Sequence, residues 1–208
     1  SKIENSEGLA NCIDIIKESD GIMIDRGDLG AEIGLENLYD AIELISVETK
    51  RLGKPLIMAT ENLETMLKRG APSKSEVVSL SHSASIGVDC IMLSEETAIS
   101  QNAEATVDWL DSFLNSAKKP KYDIAALKKN NTSIWNAVSQ LPNIPIVIMS
   151  KSGRALLELL AILPNTKVTL ITDNNQLAAF TKLYRNDVTV LIERISRGSP
   201  IETIRASI

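Results

Sequence analysis

The sequence has one histidine, His82, in 208 residues, and only two cysteines, Cys12 and Cys90. A single imidazole excludes a metal centre built from several histidines. Both cysteines stand in apolar surroundings, which marks them as reduced core residues rather than a disulfide or a catalytic thiol. Clustered basic charge is missing too: the net charge is -5, and Lys118, Lys119 and Lys121 are the nearest approach to a basic run. A nucleic-acid partner is therefore not expected. No apolar run approaches the roughly 20 residues that cross a bilayer, so no membrane partner is expected either. The first residues carry no charged-then-apolar signal pattern, and a cytoplasmic location is the expectation. Internal repeats and low-complexity tracts are absent. What is present is 44% apolar residues, enough to bury the core of one large domain or two small ones.

The stretch from Gly21 to Gly34, GIMIDRGDLGAEIG, changes character within a few residues. Gly21-Ile22-Met23-Ile24 has no polar break, the pattern of a parallel strand covered on both faces. Gly27 and Gly30 then predict a loop whose N–H groups face one small anion, with Asp28 placed to hold a cation beside it. A plain solvated turn fits the same string, because glycine and aspartate are ordinary turn formers.

Along the chain, Lys2 to Asn5 reads as a strand end, and Leu9, Cys12, Ile13 and Ile16 form one face of a helix. Leu35, Leu38, Ile42, Ile45 and Leu52 recur at helical spacing up to Gly53, a C-terminal cap. Leu56 to Ala59 is a third strand, ending at Thr60. Ser73 with Glu76 is a capping box that opens a helix closing near Gly87. Cys90 to Leu93 is a fourth strand, and a helix follows from about Ala103 to Lys118. Strands alternating with helices predict βαβ units and a parallel sheet. Lys2 and Glu4, Arg26 and Asp28, Thr60, and Ser94 with Glu96 all fall at the C-terminal ends of strands, the edge where α/β barrels gather catalytic groups.

Pro120 and the lysine-rich stretch up to Asn130-Asn131 break the apolar periodicity and predict a linker over 119–131. Beyond it, strands over Ile144 to Met149, Val168 to Ile171 and Val188 to Ile192 alternate with helices over Ala155 to Ile162 and Gln176 to Leu183. The loop Ser150-Lys151-Ser152-Gly153-Arg154 runs from a strand into a helix N-terminus. Free N–H groups there suit a phosphate, and an N-cap with solvated charges fits equally well.

Glu4 and Asp28 are hard oxygen ligands on neighbouring strands, the donor type that holds Mg²⁺ together with substrate oxygens and water. Lys2 is placed to set an ammonium over a transferring phosphoryl group, where positioning and charge neutralisation are most of what the reaction asks of a protein. For Lys2 and Glu4 alone, a surface strand pair is the competing reading.

These motifs carry a resemblance. Lys2-Ile3-Glu4-Asn5, Asp20 to Met23 with Arg26-Gly27-Asp28-Leu29-Gly30, Gly53-Lys54-Pro55 with Ala59-Thr60, Asp89 to Ser94 with Glu96-Thr97-Ala98, and Ser150 to Arg154 resemble the pyruvate kinase family. The resemblance implies an α/β fold: part of a TIM (β/α)8 barrel, strands 5 to 8 with their helices, followed by a small α/β C-terminal domain with a parallel sheet. It implies a C-terminal barrel half over 1–118, a linker over 119–131 and a regulatory-type domain over 132–208. It implies transfer of the phosphoryl group of phosphoenolpyruvate to ADP, giving pyruvate and ATP, with Mg²⁺ or Mn²⁺ and also K⁺ as cofactors. Lys2 would then stabilise the transferring group, and Glu4 and Asp28 would bind the divalent ion. Arg26, Gly27, Asp28 and Thr60 would bind the substrate, the Gly27 and Asp28 N–H groups in the turn after Arg26 holding its carboxylate. Thr60 and Ser94 would deliver the proton that converts enolate to pyruvate, with Glu96 supporting the pocket. Ser150, Lys151, Ser152, Gly153 and Arg154 would bind a sugar-phosphate effector, and a homo-oligomer, a tetramer by resemblance, is expected.

The sequence departs from the family pattern at Glu61-Asn62, at Glu95 and over Val77 to His82. Four strands do not close a barrel, so the 208 residues are expected to be a portion of a longer polypeptide and inactive alone. Two alternatives stand beside the kinase: a Mg²⁺-dependent enolate lyase acting on pyruvate or phosphoenolpyruvate, and a catalytically silent pyruvate-kinase-like regulatory or assembly module.

Overall fold

A computed structural model describes residues 1–117, 138, 144–162, 166–185 and 187–194. The chain divides into two compact units, Ser1–Asp123 and Ile124–Ile208. The linker expected over 119–131 falls outside the described residues.

The first unit runs β1 (Lys2–Ile3), α1 (Ser6–Ala10), α2 (Cys12–Glu18), β2 (Ile22–Asp25), α3 (Arg26–Ile33), α4 (Leu35–Arg51), β3 (Leu56–Ala59), α5 (Glu64–Arg69), α6 (Lys74–Ser85), β4 (Cys90–Ile91), α7 (Glu95–Ala98) and α8 (Ala103–Ser116). Its strands form one open parallel sheet in the order β1-β2-β3-β4. Among the described residues no closed barrel is formed. Alternation along the strands sends Ile22 and Ile24, Leu56 and Met58 into a core shared with Ile16, Leu29, Ile42 and Ile45 of the helices. Each such side chain, nearly removed from water, contributes on the order of 1.5–3 kcal/mol. Met23 and Ile57 face the other way and are half-buried. A smaller cluster of Leu63, Met66, Leu80 and Leu110 anchors α5, α6 and α8, with the Trp109 and Phe113 rings stacked 5.3 Å apart beside it.

Local chemistry sets the helix ends. The capping box is present at α6, where Ser73 Oγ accepts the Glu76 N–H and the Glu76 carboxylate accepts the Ser73 N–H. Gly53 takes a φ of 68° just past α4, the left-handed turn that a C-terminal glycine supplies. Parallel register then brings the strand ends level. Ile3 pairs with Ile24 and Asp25 with Ala59, so Glu4, Asp25 and Thr60 leave the sheet side by side.

The Arg26 to Gly30 segment, expected as a glycine loop, is the start of α3 instead. Asp25 caps it, its Oδ1 accepting the Asp28 N–H at 3.4 Å. Neither Gly27 nor Gly30 uses a positive φ. Gly30 serves close packing: a Cβ there would stand 3.1 Å from a Leu35 methyl and 3.3 Å from a Leu38 methyl. Two short helices, α5 and α7, also occupy stretches that carried no periodic signal.

The second unit runs β5 (Ile146–Met149), α9 (Arg154–Ile162), β6 (Val168–Thr172), α10 (Asn175–Tyr184) and β7 (Thr189–Ile192). Its sheet is parallel in the order β5-β6-β7. Ile148, Leu156, Leu159, Leu160, Val168 and Leu170 form its core.

Candidate active site

Lys2 and Glu4 lie two residues apart at the end of β1, so both side chains emerge on one face of the sheet. The Lys2 ammonium is ion-paired with Glu4, stands 3.1 Å from Asp25 Oδ2 and 3.9 Å from Asp28 Oδ2. One carboxylate oxygen each from Glu4, Asp25 and Asp28 lies within 4.8 Å of the others. The structure therefore brings together Lys2, Glu4 and Asp28, and adds Asp25, which the sequence reading does not single out. Strand register, with Ile3 paired to Ile24, is what sets this carboxylate level with Glu4. Hydrogen bonds from the ammonium to Glu4 and then to Asp25 hold Lys2 charged, well above the ordinary lysine range. Burial works to raise Asp25, but hydrogen bonds from Thr60, Lys2 and the Asp28 N–H outweigh it and leave that carboxyl below its usual range.

Thr60 sits just past β3 with a φ of 61°, and Glu61 follows at 51°. The Thr60 hydroxyl accepts the Gly27 N–H at 3.1 Å and lies within donating distance of Asp25 Oδ1, at 2.9 Å, and of Ala59 O, at 2.8 Å. The Gly27 and Asp28 N–H groups are thus engaged by Thr60 and Asp25 respectively.

Arg26 is placed elsewhere. Its guanidinium is buried and donates to Ser79 Oγ, to Thr60 O and, at 2.8 Å, to Asn62 Oδ1. Burial pushes it down from the ordinary arginine value while the charges of Glu61 and Glu96 hold it up. It braces the loop after β3 and does not join the carboxylates. Glu96, 1% exposed, plays a similar part: Oε1 accepts the Leu63 N–H at 3.0 Å and Oε2 the Ser94 N–H at 2.6 Å. Thr60, Ser94, Glu95 and Glu96 share a cleft of about 360 Å³ with Glu61, Glu64 and Lys68.

In the second unit, Ser150 Oγ accepts the Gly153 N–H at 2.9 Å, and Ser152 Oγ the Arg154 N–H at 3.5 Å. Lys151 pairs with Asp173 at 2.9 Å, and its carbonyl accepts from Asn174. This loop belongs to the other compact unit.

Residues 1–107 match the family model of the pyruvate kinase barrel domain. The chain belongs to the pyruvate kinase family. It is 34% identical over 190 residues to the pyruvate kinase of Encephalitozoon cuniculi, across 91% of this chain and 43% of that protein. A pyruvate kinase structure from Cryptosporidium parvum superposes with a TM-score of 0.81 at 26% identity, covering 100% of this chain and 45% of that one. One from Pyrobaculum aerophilum gives a TM-score of 0.84 at 24% identity over 99% of this chain and 46% of its own, a likeness of fold. The chain spans less than half the length of each of these pyruvate kinases.

Proposed function

We propose that this chain supplies part of a phosphotransferase that moves the phosphoryl group of phosphoenolpyruvate to ADP, with its first unit being strands 5 to 8 of an eight-stranded barrel. Convergence of the Lys2 ammonium with the carboxylates of Glu4 and Asp25, at the C-terminal ends of adjacent parallel strands, and of Asp28, in the first turn of α3, carries this reading. A phosphoryl group in transfer spreads negative charge over its oxygens, and a fixed ammonium at the strand ends meets that charge without reorganising. Lys2 is assigned that part. The bond from phosphorus to the enol oxygen breaks, a bond to the terminal oxygen of ADP forms, and the enolate left behind takes a proton at carbon.

The donor set suits Mg²⁺ or Mn²⁺, since three hard carboxylate oxygens stand within 4.8 Å and no softer ligand is among them. Glu4 and Asp28 would hold the ion, which when bound supplies positive charge to the phosphoryl and enolate oxygens; K⁺ is proposed beside it on the family resemblance. By the same resemblance the Gly27 and Asp28 N–H groups, at the first turn of α3, are assigned the substrate carboxylate, which would have to displace Thr60 Oγ1 and Asp25 Oδ1 as their acceptors. Thr60 and Ser94 are assigned the delivery of the enolate proton, with Glu96 fixing Ser94. A cytoplasmic homo-oligomer follows the same resemblance. In the second unit, Ser150 to Arg154 open α9 and are assigned a sugar-phosphate effector. A titration in which the complete polypeptide binds no sugar phosphate removes that assignment.

The test is ATP formation from phosphoenolpyruvate and ADP by the complete polypeptide that carries these residues, beside its Lys2→Met variant. Loss of one such charge-stabilising group costs about 10²–10³ in kcat. A variant as fast as the parent overturns the reading. Glu95 motivates a silent regulatory module as the second reading, because it lines the cleft with Glu61 and Glu64 and adds charge that repels phosphate. A parent protein with no ATP formation, and no lyase cleavage of its substrates, favours that module.

A further inference from the structure

Asp25 is the one carboxylate of the site that touches two working groups from two different strands. Its Oδ2 lies 3.1 Å from Lys2 Nζ, at the end of β1, and its Oδ1 lies 2.9 Å from Thr60 Oγ1, just past β3. Its side chain is 9% exposed, against 35% for Glu4 and 68% for Asp28. The two open carboxylates can be claimed by a cation from solvent, whereas the enclosed one is already committed. Charge points the same way. Three carboxylates are balanced by one ammonium and one divalent cation together, so Lys2 keeps a partner only if one carboxylate remains with it.

Resting on the phosphotransfer reading above, we propose that Asp25 is a positioning residue that anchors the Lys2 ammonium with one oxygen and orients the Thr60 hydroxyl with the other. Lys2 on its own is held by a two-residue strand and a flexible four-carbon stem. Thr60 on its own has two acceptors within reach for a single proton, Asp25 Oδ1 and Ala59 O. The charged oxygen is the stronger acceptor and fixes which way the hydroxyl points. One buried side chain thereby sets the phosphoryl-stabilising group and the proton-delivering group to each other.

Two substitutions separate the two holds. Asp25→Asn keeps an oxygen for Thr60 and a good N-cap for α3, but turns an uncharged amide toward Lys2. Asp25→Ala removes both holds. In the complete polypeptide, Asp25→Asn is expected to lower phosphoryl transfer by roughly ten- to a hundredfold, the cost of a misplaced group. The exchange of pyruvate methyl hydrogens with deuterated water should stay near the parent rate. Asp25→Ala is expected to lower both. Acetylation of Lys2, read by mass spectrometry against exposed Lys17, should rise several-fold in both variants, and this readout needs no turnover. Transfer unchanged in Asp25→Asn, both half-reactions falling by one common factor in that variant, or Lys2 labelling unchanged each overturn the proposal. A parent protein with neither half-reaction overturns the phosphotransfer reading instead, and the Lys2 labelling then decides the anchor alone.

Discussion

At Thr60 and Glu61 the backbone takes two consecutive left-handed conformations without a glycine. A β-branched residue there costs on the order of 1–3 kcal/mol, so something must hold it. Arg26 does, donating to the Thr60 carbonyl and to Asn62 Oδ1 from a buried position. Replacing it by methionine keeps most of the stem volume and strips the donors. Arg26→Met is expected to destabilise the fold by about 1–3 kcal/mol through the acceptors it leaves unpaired, measured by urea unfolding. Glu76 offers a second test at this scale. Burial works to raise its carboxyl, but hydrogen bonds from Thr65 and Ser73 lower it below its ordinary 4.5. A depressed folded value means that the stabilisation is complete above 4.5 and is lost as pH falls through the folded value. Glu76→Gln is therefore expected to cost about 1–2 kcal/mol at neutral pH, with the gap to the parent closing in acid. A gap that stays constant from neutral pH down to about pH 3 would contradict the assignment. Ser73 with Glu76 was legible in the sequence because a capping box is a local pattern. Asp25 was not, because its importance comes from Lys2 and Thr60, which lie far from it along the chain and only meet it through the register of three strands.

Among the elements, those with a sustained period or an apolar run were readable, α1 and α2 together as one helical face, while α5 and α7 were not. The helix α4 repeats its apolar residues over 17 positions, the strand β3 is an unbroken apolar run, and β2 is one up to its last residue, Asp25. The helices α5 and α7, of six and four residues, bury only Met66 and Glu96 respectively, too little to leave a periodic trace. The glycines of α3 misled for a physical reason: glycine spacing is shared by anion loops and by helices packed closely on a neighbour. A glycine that does depend on conformation is Gly153, in the loop before α9. It has a φ of 79°, and a Cβ there would stand 2.6 Å from a Leu177 methyl. Gly153→Ala is expected to destabilise the second unit by about 1–3 kcal/mol, and hydrogen exchange at β5 and β6 amides should rise with it. Protection equal to the parent in those strands would show that the loop relaxes freely.

At the scale of the whole molecule, charge decides what the chain can do by itself. Around the site stand three carboxylates, and among the described residues Lys2 is the one cation within 4 Å of them. Phosphoenolpyruvate brings further negative charge, and Arg26, the nearest guanidinium in sequence, is turned toward Ser79 and Asn62. A divalent ion at Glu4 and Asp28 brings the site to neutrality, not to the positive potential that a polyanion needs. More cationic groups are required, and the pyruvate kinases it resembles have more than twice the matched length in which to carry them. The sheet also ends in two open strands, β1 and β4, whose outer backbone groups have no partner strand among the described residues. The 208-residue chain alone is therefore expected to bind phosphoenolpyruvate weakly, in the millimolar range or above, with or without Mg²⁺, and to form no ATP. Calorimetric titration and a coupled ATP assay on this chain check both. Tight binding would mean that Lys2 and the metal pair suffice for the anion, and turnover would mean that the groups described above already form a complete active site.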